Sequence, residues 1–361
     1  MPTSAAERWV WFGTYTGDTS EGIYVSRFDD ATGKLSEPKL AAKIASPSFL
    51  ALHPNGKYLY AVQELDQYKG ENSGAINAFA IHDDGTLKPL NEVTSKGAAP
   101  CQISVDKTGG TLVAANYTGG SVIAYKLLPD GSIGPESSFH QHAGSSVNPD
   151  RQKEPHAHCA RLSRDQRYVL ACDLGMDQVL VYELDAAAGK LTPHPDKSLS
   201  VSPGSGPRHL AFHPHGKKLY ILNELLCTVT TFDWDAATAT GKEQGVVSTL
   251  PAGEQRKNYM STAEIVAHPN GKFLYASNRG HDTIAVYALD ETGVPKLIQN
   301  ALTGGKTPRN FNIDSSGKWL LAANQDSQSV VVFAIDPANG KLSETDNRVT
   351  VDKPVCVVFG N

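Results

Sequence analysis

No stretch of the chain comes near the ~20 consecutive apolar residues of a membrane-crossing helix, and the first residues, MPTSAAERWVWFGTYTG, carry no apolar segment behind a basic one of the kind a secretory leader shows. Both absences point to the cytoplasm. Basic clusters are also lacking: 33 Lys and Arg against 38 Asp and Glu leave a net charge of -5 with no local excess of cations. Such a surface has no field to gather nucleic acid or an anionic membrane, so a small molecule is the expected partner. Cysteine is scarce and unpatterned. Cys101, Cys159, Cys172, Cys227 and Cys356 are odd in number and form no CxxC knuckle, which excludes a disulfide framework and leaves reduced, buried side chains as the expectation. A Gly-x-Ser-x-Gly elbow is missing too, which disfavours a serine esterase.

What the chain does have is a repeat. A proline-led apolar run, a turn, a second run ending in polar residues and a third run recur in PSFLALHPNGKYLYAVQE from Pro47, PCQISVDKTGGTLVAANY from Pro100, AHCARLSRDQRYVLACDL from Ala157, PRHLAFHPHGKKLYILNE from Pro207, TAEIVAHPNGKFLYASNR from Thr262 and PRNFNIDSSGKWLLAANQ from Pro308. A seventh start, PVCVVFGN from Pro354, is cut off by the chain end, and RWVWFGTY with GIYVSRFDDATGKL near the N-terminus supplies its continuation. The copies lie 46 to 57 residues apart, the length of four short strands with their turns. Runs rich in Val, Ile, Leu, Tyr and Phe between Asn-Gly, Gly-Gly and Asp-Gly turns read as strands. The expectation is an all-β, seven-bladed β-propeller of four-stranded antiparallel blades, one domain over residues 1–361. The C-terminal run is then strand a of the blade whose strands b to d come from the N-terminus, which leaves no open sheet edge.

In an antiparallel blade the start of strand a lies beside the end of strand b, so the aligned copies define rings of equivalent positions at one end of the central channel. The position after the leading proline reads Ser48, Cys101, His158, Arg208, Ala263, Arg309 and Val355; the last of strand b reads Tyr15, Glu64, Tyr117, Leu174, Glu224, Arg279 and Gln325; just before it stand Thr14, Gln63, Asn116, Asp173, Asn223, Asn278 and Asn324. A structural repeat repeats its residues, yet these rings change chemistry from blade to blade. Arginines, a histidine and carboxylates gathered at one mouth need partners or a ligand to offset their desolvation, and a water-filled mouth with cross-channel pairs is the alternative. The longest irregular segments, 65–74, 136–155 and 251–261, are placed on that same face, as rim or as ordinary surface loops.

The His-Pro pairs at His53, His213 and His268 recur in register with Gly56, Gly216 and Gly271, which assigns them to the a to b turns at the opposite end. Two His-x-His pairs, His140 with His142 and His156 with His158, have side chains on a common strand side. Neither has a carboxylate or cysteine at diagnostic spacing, so no metal site is expected.

The motifs NYTGGSV from Asn116, PHAH from Pro155 with DLG from Asp173, GPRH from Gly206 with Asn223 and Glu224, SNRG from Ser277 and TPRN from Thr307 make the chain resemble, over its whole length, the lactonase family of seven-bladed β-propellers. That family includes bacterial 6-phosphogluconolactonases and fungal carboxymuconate-lactonizing enzymes. The resemblance implies a site in the channel mouth built from His158, Arg208, Glu224 and Arg279, four residues that the ring alignment also singles out.

Opening a sugar δ-lactone requires an activated water, a charge partner for the carbonyl oxygen and an anchor for a remote anion. Glu224 or His158 is expected as general base, Arg208 as oxyanion partner, and Arg279 with Arg309 as bidentate anion clamp. Glu64, Tyr117, His156 and Asp173 are candidates for binding substrate. Asn116, Asn278 and Asn324 either bind sugar hydroxyls or serve turn chemistry, and Arg208 with Glu224 is either catalytic or a cross-strand salt bridge. The implied reaction is hydrolysis of 6-phospho-D-glucono-1,5-lactone, a small anionic substrate, without cofactor, nucleic acid or membrane, and nothing in the sequence sets an oligomeric state. A carboxymuconate cycloisomerase and a non-catalytic binding propeller are the alternatives, the latter disfavoured by the absence of recurring Trp-Asp dipeptides.

Overall fold

A computed structural model of the chain describes residues 7–17 and 19–360. Its strands form seven antiparallel sheets arranged as blades of a ring. Apolar runs of six to eight residues bounded by turns make the inner strands, such as Pro207–Phe212, Lys218–Asn223 and Thr228–Asp235 for strands a to c of the fifth blade, and the polar, mostly exposed Thr240–Ser248 makes its outer strand d. Their apolar side chains point to both faces because each blade is sandwiched. Leu210, Leu219, Ile221, Phe232 and Trp234 of the fifth blade pack with Cys159, Leu170, Val179 and Val181 of the fourth in one buried cluster. The ring closes where the sequence places the seam: Pro354–Phe359 pairs antiparallel with Glu7–Thr14, with Phe12 opposite Val357.

The outer strand of the fourth blade departs from the pattern. Lys190–Pro193 pairs with the third strand, the chain then leaves the sheet through a 3-10 turn at Pro195–Lys197, and Leu199–Ser200 rejoins the same strand. Pro193 and Pro195 each lack the N–H that a ladder needs.

Neighbouring blades are tied at the end of the ring away from the polar rings. Nε2 of His213 and of His268 each donates at 2.8 Å to a turn carbonyl of the next blade, that of Gly271 and of Gly317, while Nδ1 accepts a backbone N–H of its own turn. Tyr275 Oη donates at 2.8 Å to the carbonyl of Gly340 in the following blade. Gly340 sits at φ 73°, and a Cβ there would stand 2.4 Å from the ring of Phe273, so only glycine fits this close approach. Among the described residues no helix is long and apolar enough to cross a membrane.

Candidate active site

Strand a of six blades begins with a register shift against strand b. Pro207 faces Asn223 and His209 faces Leu222, so Arg208 has no opposite number; His158, Cys101, Arg309 and Val355 are skipped in the same way, and in the sixth blade the shift takes in Ala263 and Glu264. A bulged residue is released from the up-down alternation and its side chain re-aimed. The bulges therefore present the first ring to the channel. In the second blade strand a is only Leu50–Leu52, and Ser48 precedes it.

Glu224 follows strand b of the fifth blade, its backbone N–H fixed at 2.7 Å on the carbonyl of Gly206. Its carboxylate meets three guanidiniums. Arg208 Nε donates to Oε2 at 2.9 Å, Arg279 Nη2 reaches the same oxygen at 3.0 Å, and Arg151 Nη2 donates to Oε1 at 2.9 Å. Burial alone would raise its proton affinity; Arg279, Arg208 and Arg151 overcome that and hold the carboxyl at about 2. Each strand-borne arginine has a second anchor. Arg208 Nη1 donates to the carbonyl of Ala263 and Arg279 Nη2 to that of Thr262 at 2.9 Å. Arg279 is lowered to about 10 by burial and by crowding against Arg208 and Arg309, with Glu224 opposing, so it stays charged at neutral pH.

Across the mouth, Arg309 Nη2 donates to Tyr15 Oη at 2.7 Å, and Tyr15 donates to the Glu64 carboxylate at 2.9 Å. Burial and Glu64 keep the Tyr15 phenol protonated although Arg309 pulls the other way. His158 lies edge-on to Tyr117, with ring centroids 5.3 Å apart, and its Nδ1 stands 3.5 Å from Cys101 Sγ. Burial first, then Arg208, holds its imidazole well below the ordinary histidine range. It is neutral at pH 7.

Glu64, Tyr117, Arg151, His158, Glu224, Arg279 and Arg309 line one cavity of about 170 Å³. Beneath it a space of about 10 Å³, room for one water, is walled by Ser48, Cys101, Arg208, His209 and Arg309 among others. Three guanidiniums (Arg151, Arg279, Arg309) and two carboxylates (Glu64, Glu224) line the larger cavity, and Arg208, bound to Glu224 and lining the smaller space, brings the local surplus to two positive charges.

Other expected residues lie apart from this cavity. Asn116 Nδ2 donates to the carbonyl of Ser95 and to Ser121 Oγ, each at 3.0 Å, Asn278 Nδ2 to the carbonyl of Thr249 at 2.9 Å, and Asn324 Nδ2 to the carbonyl of Thr303 at 3.0 Å. All three are wholly buried: strand alternation turns them away from the channel, where they tie strand b to its outer neighbours. Asp173 occupies the same position in the fourth blade. Its Oδ2 takes His142 Nδ1 at 2.6 Å and its Oδ1 takes the backbone N–H groups of His156 and Gly175 at 2.8 and 3.0 Å, so it fastens loops. His156 stacks on Tyr117 with centroids 4.6 Å apart and supports the cavity wall from behind. The members of each His-x-His pair take different polar partners: His140 binds the carbonyl of Leu191 while His142 bridges Asp173 and Tyr182, and His156 Nδ1 meets the carbonyl of Tyr117 while His158 Nδ1 faces Cys101. Among the described residues no group of three His, Cys, Asp or Glu side chains is placed to hold a metal.

Two contributors escape the sequence reading. Tyr15 stands in the aligned ring but was assigned no task. Arg151 lies in no strand: it comes from the segment between Ile133–Gln141 and Ala157–Leu162, the later part of the long 136–155 stretch, whose first six residues are strand d rather than loop. The length of that insertion is the only signal for it.

A family match and curated relatives define the class of this propeller, that of lactone-hydrolysing carboxylic ester hydrolases. The chain belongs to the lactonase family of seven-bladed β-propellers, whose family model matches residues 9–359. It is 35% identical to the 6-phosphogluconolactonase of Bacillus subtilis over 351 residues, 97% of each chain. Among solved structures it is similar to a Bacteroides fragilis protein, with 35% identity, full coverage of both chains and a TM-score of 0.92. It also resembles the periplasmic gluconolactonase of Pseudomonas aeruginosa, with 31% identity, 99% of each chain covered and a TM-score of 0.91.

Proposed function

We propose that the protein hydrolyses a phosphorylated sugar δ-lactone, 6-phospho-D-glucono-1,5-lactone, to 6-phosphogluconate in the mouth cavity. The observation that carries this reading is the cationic surround of a space of about 170 Å³, where three guanidiniums on the lining face two carboxylates and Arg208 is bound to one of them, an excess of positive charge that suits a phosphate monoester of charge about −2. The name of the Bacillus subtilis relative agrees with it.

In this mechanism a water attacks the lactone carbonyl carbon. His158, neutral and on the cavity wall, orients that water, and Glu224 takes its proton, being a weak base while three guanidiniums hold it at about 2 and a stronger one where such a contact is given up. Charge that develops on the carbonyl oxygen falls to Arg279, whose Nη1 makes none of the bonds to Glu224 or Thr262. The ring C–O bond then breaks, the ring oxygen takes up the proton held by Glu224, and the new carboxylic acid gives its proton to solvent. Arg208 is spoken for by Glu224 and Ala263 and is buried to 3% side-chain exposure, so its task is to hold Glu224 rather than to meet the oxyanion. Arg309, braced by Tyr15, binds the phosphate. Phosphorylated sugars are confined by their charge to the compartment that makes them, and five buried free cysteines suit a reducing one, which supports a cytoplasmic reaction.

The test follows 6-phosphogluconolactone against its spontaneous hydrolysis, and carboxymuconate in parallel. Accelerated loss of the first alone is expected; consumption of the second alone would replace this reading with a cycloisomerase.

A further inference from the structure

We propose that Arg151 is a gate worked by the substrate's own anionic group: at rest it covers Oε1 of Glu224, and a bound phosphate draws it off, leaving that oxygen free to accept a proton from the attacking water. The inference rests on the functional reading above and deepens it, by naming the residue that makes turnover depend on the phosphate.

Three observations carry it. The first is the division of the carboxylate: Arg208 and Arg279 both bind Oε2, whereas the hydrogen bond recorded on Oε1 is that of Arg151. Moving one side chain therefore uncovers one oxygen and leaves the other clamped, so Glu224 keeps its position. The second is the contrast in anchoring. Of the three arginines on Glu224, Arg208 and Arg279 are each also tied to a backbone carbonyl, that of Ala263 and of Thr262, whereas the guanidinium of Arg151 has only side-chain partners, Glu224 and, at 2.8 Å, Tyr117 Oη. Its side chain is 41% exposed, against 3% for Arg208 and 16% for Arg279.

The third is that the backbone beneath Arg151 is fixed. Its own N–H donates at 3.1 Å to Asn148 Oδ1, and Gln152 Nε2 donates at 2.8 Å to the carbonyl of Leu174. The motion is thus a change of side-chain rotamer, which exposed residues make within nanoseconds, and no loop rearrangement is required. A phosphate dianion offers more charge and more acceptor oxygens than one carboxylate oxygen, so it competes for the guanidinium. Only a ligand with differential affinity for the two positions shifts them, and an unphosphorylated lactone has none.

The experiment compares δ-gluconolactone with 6-phosphogluconolactone in the wild-type protein, Arg151→Met and Arg151→Lys, with and without added phosphite dianion. In the wild type phosphite is expected to raise kcat/KM for δ-gluconolactone at least tenfold. In Arg151→Met that activation disappears, the basal rate on δ-gluconolactone rises several-fold, and KM for the phosphorylated lactone rises at least tenfold; Arg151→Lys is intermediate. The acid limb of kcat/KM on δ-gluconolactone moves to higher pH in Arg151→Met, because Glu224 then faces Arg208 and Arg279 in contact, with Arg309 and Tyr117 beyond. An equal fall on both lactones with phosphite activation intact, or no phosphite effect in the wild type, overturns the gate while leaving the function standing. A wild type that opens neither lactone above the spontaneous rate overturns both.

Discussion

Arg208 in strand a and Glu224 just past the end of strand b of the same blade sit 16 residues apart, and Nε of the first donates to Oε2 of the second at 2.9 Å with both side chains almost wholly buried. The bulge that frees Arg208 from strand pairing is what brings them together. This pair is at once the cross-strand salt bridge and the support of the candidate base.

Truncating one partner leaves a buried charge uncompensated, which destabilises proteins by about 3 to 5 kcal/mol. Glu224 keeps Arg279 and Arg151 when Arg208 is lost, so Arg208→Met is expected to lower stability by less than that, about 1.5 to 3 kcal/mol, and to reduce turnover of the lactone. The double variant Arg208→Met, Glu224→Gln loses less stability than the two single changes combined, as groups in one network do. Urea unfolding of the four proteins measures this; strict additivity would show that the pair is not coupled.

Acid destabilises the fold in two stages. His158 and His209 are held below the ordinary histidine value of 6.5 chiefly by burial, so below that pH the unfolded chain takes up protons that the folded one refuses, and stability falls as pH drops through 6.5. Glu224, held at about 2 against an ordinary 4.5, contributes stability that is complete above 4.5 and is lost as pH falls toward 2. Denaturation midpoints at pH 7.5, 6, 5 and 4 should decline throughout, and His209→Gln should flatten the upper part. A flat profile between pH 7.5 and 5 contradicts the buried neutral histidines.

Two polar residues of neighbouring ring positions should respond in opposite ways. Asn278→Ala removes a buried tie to the carbonyl of Thr249 and is expected to lower stability by about 1 to 2 kcal/mol with KM unchanged. Tyr15→Phe removes the brace of Arg309 and is expected to raise KM for the phosphorylated lactone about tenfold with a smaller effect on kcat. Steady-state kinetics and melting curves on both variants separate the two.

Much of the architecture is legible because a blade is a local unit: the Pro-led run, the turn and the polar strand end recur with the same spacing, and the incomplete copy at Pro354 needs Arg8 to Tyr15 to complete it. The ring alignment groups His158, Arg208, Glu224 and Arg279 because strand pairing fixes which positions are neighbours, and the four do stand together beside the two adjoining cavities. It failed at Asn116, Asp173, Asn278 and Asn324, since alternation turns the residue before the strand end away from the channel and a list of equivalent positions does not record direction. The bulge was invisible for the same reason. Arg151 was missed because an irregular segment has no period from which to place a side chain.

The most direct test of the mouth cavity as the reaction site is kcat/KM for 6-phosphogluconolactone in the wild-type protein beside Glu224→Gln and Arg279→Met, each checked for folding by circular dichroism. The account predicts wild-type acceleration well above spontaneous hydrolysis and a loss of at least 100-fold in both variants. Folded variants that open the lactone as fast as the wild type would place the chemistry elsewhere in the molecule.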